Sequence, residues 1–291
     1  MSAIPESQLV LTPDGSVYHL RLHPGQIADT IILVGDPGRV EKISAYFERI
    51  EYRVSNREIN THTGFYKGRR MTVLSTGMGP DNIDIVVNEL DALVNVDLKT
   101  RRIKEEKTSL KLVRLGTSGA LQADIPVGDS FVAAEYAIGL DGLIYFYDRA
   151  ADYIEKDMTQ AFVKHMNWPA ELPGPYAVGC SQALLAQLAG GYRKGITATS
   201  PGFYGPQGRS LRLGLRDEQM NPMIESFSHE GRCITNFEME SSALYGLSKM
   251  LGHEALTICA IIANRVSEKF AGDYQPYMDK LIRQTLDRLA G

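Results

Sequence analysis

Cysteine is scarce in this sequence of 291 residues, which contains only three. Cys180, Cys233 and Cys259 are far apart and odd in number, so neither a disulfide framework nor a metal site of the CxxC type fits them. We interpret all three as reduced, buried thiols rather than catalytic nucleophiles. The sequence therefore predicts no metal centre, and its chemistry has to come from other side chains.

A surplus of positive charge is also missing. Lys and Arg number 31 against 35 Asp and Glu, which gives a net charge of -4 at pH 7. Because binding to a nucleic-acid backbone requires a basic face, we expect no nucleic-acid partner. Small ligands remain possible.

Long apolar runs are absent as well. No run approaches the length of a membrane span, and the N-terminal MSAIPESQLV lacks the basic segment and apolar core of a secretory signal. We therefore expect a cytoplasmic protein with no membrane partner. Internal repeats and low-complexity tracts are lacking too.

Apolar runs that end in glycine-rich turns alternate with segments of helical spacing. This alternation predicts a layered α/β fold whose ligands gather at strand ends. Residues 1–18 are expected to form an extended, loosely held arm, and the charged segment 96–110 a solvated excursion without chemistry. Strands are predicted at 31–34, 71–75, from 112, and at 130–136, 142–147, 195–200, 233–236 and 255–262; helices are predicted from 39 and at 83–94, 153–166, 181–189, 219–227, 240–251 and 274–289.

The stretch LVRLGTSGA at 112–120 has the composition of an anion pocket. A buried strand carrying Arg114 is expected to end in a tight turn at Gly116–Gly119, where backbone N–H groups, the Thr117 hydroxyl and the guanidinium fork can all approach an oxyanion. The alternative is an ordinary turn. A second strand end, at Gly35–Arg39, offers the Gly35 N–H and the Arg39 side chain to an anion. Its alternative is a capped helix with a surface arginine.

The loop FYGPQGR at 203–209 suits a flat ligand. Gln207 donates and accepts at once and Arg209 only donates, so the pair matches an N–H beside a carbonyl, with Phe203 stacking on the ring. The alternative is an exposed loop of unrelated polar residues.

Glu238 and Glu240 flank Met239 at the point where a predicted strand ends and a predicted helix begins. Because Glu238 and Glu240 cannot point the same way on a strand, we expect one of them to face a pocket and accept hydrogen bonds from sugar hydroxyls. Arg265, at another strand end, is a candidate for either a salt bridge or a ligand contact. His19 and Arg57 complete the candidates, with structural or surface roles as their alternatives.

Four motifs follow one another along the chain: GDPGR at 35–39, RLGTSGA at 114–120, FYGPQGR at 203–209 and FEMES at 237–241. In these motifs and their order the chain resembles the nucleoside phosphorylase superfamily, from about His19 to the C-terminal helix. The resemblance implies a three-layer α/β/α fold with a central mixed, partly barrel-like sheet. It also implies a single catalytic domain over 19–291.

The resemblance further implies a role for each candidate residue. Arg114, Glu240, Gln207 and Arg209 would carry catalysis. The implied phosphate site is formed by Gly35, Arg39, Arg114 and Thr117, with Arg57 from a neighbouring subunit. The implied ribose site is formed by Glu238, Met239 and Glu240, with His19 from the neighbouring subunit. The implied base site is formed by Phe203, Gln207 and Arg209, with Arg265 supporting the loop.

The Gln-x-Arg pair resembles that of superfamily members acting on pyrimidines. Purine-preferring members lack this pair and carry an Asp where this chain has Asn264 or Arg265. The implied reaction is phosphorolysis of uridine to uracil and ribose 1-phosphate, with inorganic phosphate as co-substrate and no cofactor. A homo-oligomer built from dimers that share active sites, either a dimer or a hexamer, is also implied. The alternatives are a purine nucleoside phosphorylase, a hydrolase that uses water, and a nucleoside-binding module without catalysis.

Overall fold

Strands and helices alternate along residues 3–291, which are the residues that the computed structural model describes. The strands are β1 Thr30–Val34, β2 Arg49–Asn56, β3 Ile59–Tyr66, β4 Arg69–Ser75, β5 Val96–Asp97, β6 Arg102–Ile103, β7 Lys111–Ala120, β8 Phe131–Gly139, β9 Tyr176–Gly179, β10 Arg193–Thr199, β11 Ser228–His229, β12 Arg232–Glu238, β13 Glu254–Asn264 and β14 Lys269–Phe270. The helices are α1 Pro37–Ser44, α2 Pro80–Asn95, α3 Lys156–Met166, α4 Gln182–Leu188, α5 Met220–Ser226, α6 Ser241–Leu251 and α7 Gln275–Ala290.

The main sheet has the order β11-β12-β10-β8-β13-β7-β1-β4-β3-β2, with β9 beside β8 and β14 beside β13. An additional antiparallel pairing joins β12 to β7, so β7, β12, β10, β8 and β13 form a closed ring. Parallel pairs such as β1–β7 coexist with antiparallel pairs such as β13–β8. The sheet is therefore mixed and partly barrel-like, which confirms the predicted architecture.

Helices cover this sheet because its central strands are apolar on both faces. Leu112, Val113 and Leu115 of β7 are fully buried, as expected for a strand enclosed on two sides. Helix α2 packs on α6, which contacts β8 and β13, and α4 packs on α7, which contacts β7 and β13. The fold thus has the predicted layers.

Three sequence predictions about strands are wrong. Residues 142–147 form a 3-10 helix, Leu143–Phe146, because Gly142 has φ +70 and the Asp141 carboxylate accepts a hydrogen bond from the Leu143 N–H at 2.7 Å. The hairpin β2–β3 lies where no strand was predicted, since β2 is largely exposed and lacks an apolar run. The short strand β9 was also missed, because its four residues are too few to show a period.

The N-terminal segment is held more firmly than predicted. Leu11 bridges Val17, and Val17 is completely buried. Arg101, from the charged segment 96–110, donates through Nη1 to the Leu9 carbonyl at 2.6 Å, and its own carbonyl accepts from the Ile4 N–H at 2.7 Å. The segment 96–110 contains the small hairpin β5–β6 and is otherwise mostly exposed. The prediction of a loosely held arm is therefore wrong for the described part of residues 1–18.

Within residues 3–291, no helix combines the length and the apolar character needed to cross a lipid bilayer. The expected cytoplasmic location stays a prediction, as does the domain boundary at residue 19.

Candidate functional site

Two glycine turns meet where β1 and β4 end. The Thr76 N–H donates to the Val34 carbonyl at 2.8 Å, and a Cβ on Gly35 would lie 3.3 Å from the Gly77 carbonyl oxygen. A side chain at position 35 would therefore crowd the second turn. Close approach of two backbones explains glycine at this strand end.

Arg39 lies beside this turn and is buried. Asp36 caps helix α1 by accepting from the Gly38 N–H at 2.9 Å, and the first turn of the helix directs Arg39 inward. Its Nη1 donates to the Leu115 carbonyl at 3.2 Å, and only 7% of the residue is exposed. Burial and the nearby Arg114 lower the pKa of Arg39. The alternative of a surface arginine is wrong, and this buried cation favours an anion next to it.

Arg114 is the central cation of the site. Its Nη2 forms an ion pair with the Glu240 carboxylate, and its Nη1 lies 3.5 Å from Glu238 Oε2. Burial alone would lower the pKa of Arg114, but Glu240 and Glu238 together raise it well above its ordinary value. The guanidinium is therefore a permanent charge. The buried Nε has no hydrogen-bond partner within residues 3–291.

The predicted turn at Gly116–Gly119 is wrong, because β7 continues through these residues to Ala120. They pair with β13, with Gly116 opposite Cys259 and Thr117 opposite Ala260. A Cβ on Gly116 would collide with the Arg114 guanidinium and lie 3.0 Å from Cys259 Sγ. Glycine is thus required here so that Arg114 can fold back along its own strand. Thr117 is partly buried on the same strand.

Both acids of the FEMES motif approach Arg114, so the prediction that only one of them faces the site is wrong. Strand β12 ends at Glu238 and the backbone turns into α6 within three residues, which removes the strict alternation of a strand. Glu240 accepts from the Gly79 N–H at 2.9 Å. Burial raises the pKa of Glu240, Arg114 opposes this shift and Glu238 adds to it. Met239, between the acids, is partly buried.

The Glu238 carboxylate is fixed by three hydrogen-bond donors that the sequence did not reveal. Its Oε2 accepts from the N–H groups of Glu240 and Ser241, each at 2.9 Å, which caps the start of α6. Its Oε1 accepts from Thr199 Oγ1 at 2.5 Å, and Thr199 Oγ1 in turn accepts from the Ser242 N–H at 3.0 Å. The hydroxyl of Thr199 therefore links the end of β10 to the acidic motif.

We expect Thr199→Val to lower the free energy of unfolding by about 1–3 kcal/mol, because the buried Glu238 oxygen and the Ser242 N–H each lose a partner. Thr199→Ser keeps the hydroxyl and should lose about 1 kcal/mol or less for one buried methyl group. Urea unfolding of the two variants measures the difference. Equal losses in both would show that the hydroxyl does not stabilise this junction.

The loop at 203–209 starts next to this cluster, since the Ser200 N–H donates to the Glu238 carbonyl at 2.9 Å. Gln207 is only 4% exposed, and its Oε1 accepts from Arg209 Nη1 at 2.6 Å. The Arg209 guanidinium stacks on the Phe203 ring, 3.7 Å from its centre, while Phe203 itself is half exposed. The alternative of unrelated polar residues is wrong for this loop.

Arg265 supports the loop at 203–209 through a contact with its backbone. Its Nη1 donates to the Gln207 carbonyl, which also accepts from Asn221 Nδ2 at 3.0 Å. Burial lowers the pKa of Arg265, and its guanidinium lies 5.6 Å from the Phe237 ring centre. Among residues 3–291, no acidic side chain forms a salt bridge with Arg265. Asn221 was missed, because its contact joins positions fourteen residues apart through an irregular loop.

His19 and Arg57 are not joined to this cluster by any hydrogen bond or ion pair that the described residues make. Arg57 is exposed at the turn between β2 and β3 and has φ +55. His19 is partly exposed, and its Nδ1 lies 2.6 Å from Glu89 Oε1.

The cysteines are free, as predicted, and Cys180 and Cys259 are buried whereas Cys233 is only partly buried. Burial raises the pKa of Cys180 to about 12 and that of Cys259 to about 11, so both stay protonated thiols. In the part of the chain that the structure describes, no group of three His, Cys, Asp or Glu side chains is arranged to hold a metal ion.

Comparisons with known proteins agree with this geometry. A family model described as "Phosphorylase superfamily" matches residues 29–286. The chain is 32% identical over 259 residues to a uridine phosphorylase of Thermococcus kodakarensis, covering 89% of this chain and 81% of that protein. It is 29% identical over 278 residues to a DeoD-type purine nucleoside phosphorylase of Oceanobacillus iheyensis, covering 93% and 98%.

A solved structure is also similar throughout its length. The crystal structure of a Trypanosoma brucei nucleoside phosphorylase, described as showing uridine phosphorylase activity, superimposes with a TM-score of 0.87 at 32% identity. The superposition covers 97% of this chain and 99% of the other.

Proposed function

Because the chain belongs to the phosphorylase superfamily, as the resemblance of its four motifs implied, we propose that it catalyses the reversible phosphorolysis of uridine to uracil and ribose 1-phosphate. The observation that carries this proposal is that two guanidiniums, Arg39 and Arg114, are buried together, while the segment leading into the Gln207–Arg209 loop is bonded through Ser200 to Glu238, a partner of Arg114. The similarity to uridine phosphorylases from Thermococcus kodakarensis and Haemophilus influenzae supports it.

Inorganic phosphate is the proposed nucleophile. Arg39 and Arg114 supply positive charge in a buried setting, where an oxyanion is stabilised more strongly than in water. The Gly35 N–H and the Thr117 hydroxyl add donors, and Arg57 completes the site from a second copy of the chain. A hydrolase that uses water has no need for this set of cations, so the site favours phosphorolysis.

The ribose is proposed to lie against the FEMES motif. Glu240 pairs with Arg114, and its carboxylate can accept hydrogen bonds from sugar hydroxyls as positive charge develops on the ring. Glu238 caps the start of α6, and Met239, the partly buried residue that follows it, adds an apolar contact to the sugar. His19 reaches the sugar from the second copy.

The leaving uracil carries negative charge in the transition state. Gln207 and Arg209 donate hydrogen bonds that strengthen as the ring becomes anionic, so no general acid is needed. Phe203 stacks on the ring, and Arg265 fixes the Gln207 backbone. Each donor of this kind contributes on the order of 2–4 kcal/mol to catalysis.

A purine preference is less well supported by the residues near the base loop. Asn264 Nδ2 donates to the carbonyls of Gln122 and Ile125, each at 2.8 Å, and its Oδ1 accepts from the Ser267 N–H at 2.9 Å. Both N–H groups of the amide are therefore used within the chain. Neither is left to donate to a purine at the position where purine-preferring members carry Asp.

We expect uracil release from uridine to require phosphate and to exceed base release from inosine or adenosine by about 10²-fold or more, because the Gln207–Arg209 donors match only the pyrimidine edge. Assays of uridine, thymidine, inosine and adenosine with and without phosphate test this. Release without phosphate would instead indicate a hydrolase. Tight uridine binding without uracil release would indicate a binding module.

The active site is proposed to be shared between two copies of the chain, since neither Arg57 nor His19 forms a hydrogen bond or ion pair with the cluster among the described residues of its own chain. A closed two-fold dimer is the smallest assembly that exchanges such residues reciprocally. Mass measurement in solution distinguishes a dimer, a hexamer of three dimers and a monomer, and an active monomer would contradict shared sites.

A further inference from the structure

His19 is fixed by one carboxylate that the proposed reaction does not use. Glu89, on helix α2, accepts from the His19 N–H through both oxygens at 3.0 Å and from the Leu20 N–H at 2.8 Å. Its Oε1 also lies 2.6 Å from His19 Nδ1. An ionised carboxylate only accepts, so Nδ1 carries the proton and Nε2 is the ring atom left for another molecule.

Arg57 is fixed to the same segment. The preceding residue, Asn56, donates through Nδ2 to the His19 carbonyl at 2.8 Å. The Arg57 guanidinium lies 5.9 Å from the centre of the Tyr18 ring, the residue next to His19. Arg57 also occupies the left-handed region at φ +55, which the tight turn between β2 and β3 imposes. The hairpin turn and the segment 18–20 are thus joined at two points.

We propose that Glu89 and Asn56 are positioning residues that assemble His19 and Arg57 into one preformed unit, which each chain donates to the active site of its neighbour. This inference rests on the proposed function, because it assigns the unit to the shared site. Glu89 sets the ring orientation and tautomer of His19, and Asn56 sets its distance from Arg57. The ribose-binding and phosphate-binding contributions of a chain therefore reach the neighbouring site together rather than separately.

Preassembly has a kinetic consequence. Catalytic groups that are already held in their working geometry lose little freedom when substrate binds, and a displacement of about 1 Å at such a group lowers activity by about 10²-fold. We therefore expect Glu89→Ala and Asn56→Ala to lower kcat/KM for uridine by about 10- to 100-fold. Asn60→Ala is the matched control, because Asn60 lies opposite Ser55 on the same hairpin and does not touch His19.

Glu89→Gln separates ring positioning from backbone support. The glutamine oxygen can still accept from the backbone N–H groups of His19 and Leu20, so the thermal midpoint and the particle mass should match the wild type. The amide cannot replace both carboxylate oxygens, so the His19 ring loses its acceptor and KM for uridine should rise more than kcat falls. Unchanged kcat/KM in Glu89→Gln would overturn the assignment of Glu89 to ring positioning.

Complementation between subunits tests whether the unit acts on the neighbour. A Glu89→Ala chain and an Arg209→Ala chain are co-expressed with different tags, and particles carrying both tags are purified. Each mixed pair contains one site with an intact Gln207–Arg209 loop from one chain and an intact His19–Arg57 unit from the other. We expect about a quarter to a half of the wild-type activity, depending on whether three dimers or one make the particle.

The possible failures are distinguishable. Wild-type protein that does not cleave uridine would overturn the proposed function before any mixture is made. Active wild-type protein, with mixed particles no more active than either parent, would overturn the present inference and the shared site but not the proposed reaction, because Glu89 would then act within its own site or on the fold alone. The Glu89→Gln chain replaces Glu89→Ala in the mixture if the alanine variant does not fold.

Discussion

Replacing Arg114 with alanine is expected to lower kcat/KM for uridine by about 10³-fold and to destabilise the fold by about 3–5 kcal/mol. The two effects have one cause. Arg114 is the cation that Glu240 and Glu238 share, and all three side chains are almost completely buried. Removal of the guanidinium leaves two buried carboxylates without a counter-charge and takes a cation from the proposed phosphate site.

The loss of stability in Arg114→Ala should depend on pH. Burial already raises the pKa of Glu240, and Arg114 is the group that opposes this shift. Without Arg114 the folded-state pKa rises further above the ordinary value of 4.5. At a pH between the ordinary pKa and the raised pKa of the folded state, Glu240 is protonated in the folded protein and ionised in the unfolded chain. The free energy of unfolding therefore falls as pH rises through this range and recovers as pH is lowered.

Urea unfolding at pH 5.5 and pH 8 measures this dependence, and the variant should lose more stability than the wild type on going to the higher pH. The double variant Arg114→Met/Glu240→Gln removes both charges while keeping similar volumes. It should regain part of the stability, because Glu238 still lacks its counter-charge, and none of the activity. A single variant as stable as the wild type at pH 8 would contradict the assignment of Arg114 as the counter-charge of both acids.

The parts of the site that could be predicted are those that short motifs carry. Strands ending at Gly35 and at the FEMES motif follow from apolar runs and from residues typical of helix starts. Arg114 was predicted because its guanidinium fork, on a buried strand followed by small residues, matches an oxyanion. What it contacts could not be predicted, since Glu240 lies 126 positions away along the chain.

The remaining features depend on tertiary contacts that leave no local pattern. Gly116 was interpreted as part of a turn, whereas it makes room for Arg114 within a continuous strand that pairs with β13. Thr199 and Glu89 are ordinary residues of their own segments, and each gains importance only through a distant partner. The polar hairpin β2–β3 is stabilised by pairing with β4 rather than by its own propensity.

Removal of the Arg209 guanidinium should lower kcat/KM for uridine by about 10²- to 10³-fold while leaving the affinity for phosphate nearly unchanged. The side chain is joined to the base loop alone, through Gln207 Oε1 at 2.6 Å and the Phe203 ring at 3.7 Å. Steady-state kinetics with varied uridine and varied phosphate separate the two affinities. Arg212→Ala is the matched control, because Arg212 is an exposed arginine that lies three residues after Arg209.

The size of the Arg209→Ala effect should follow the stability of the departing anion. If Arg209 stabilises negative charge on the leaving base, a substrate whose base is more acidic needs less of that stabilisation. The variant should therefore lose less activity with 5-fluorouridine, whose fluorine withdraws electrons from the ring, than with uridine. An equal loss with both substrates would assign Arg209 to binding of the ground state. An equal loss of uridine and phosphate affinity would mean that the loop at 203–209 does not hold the base.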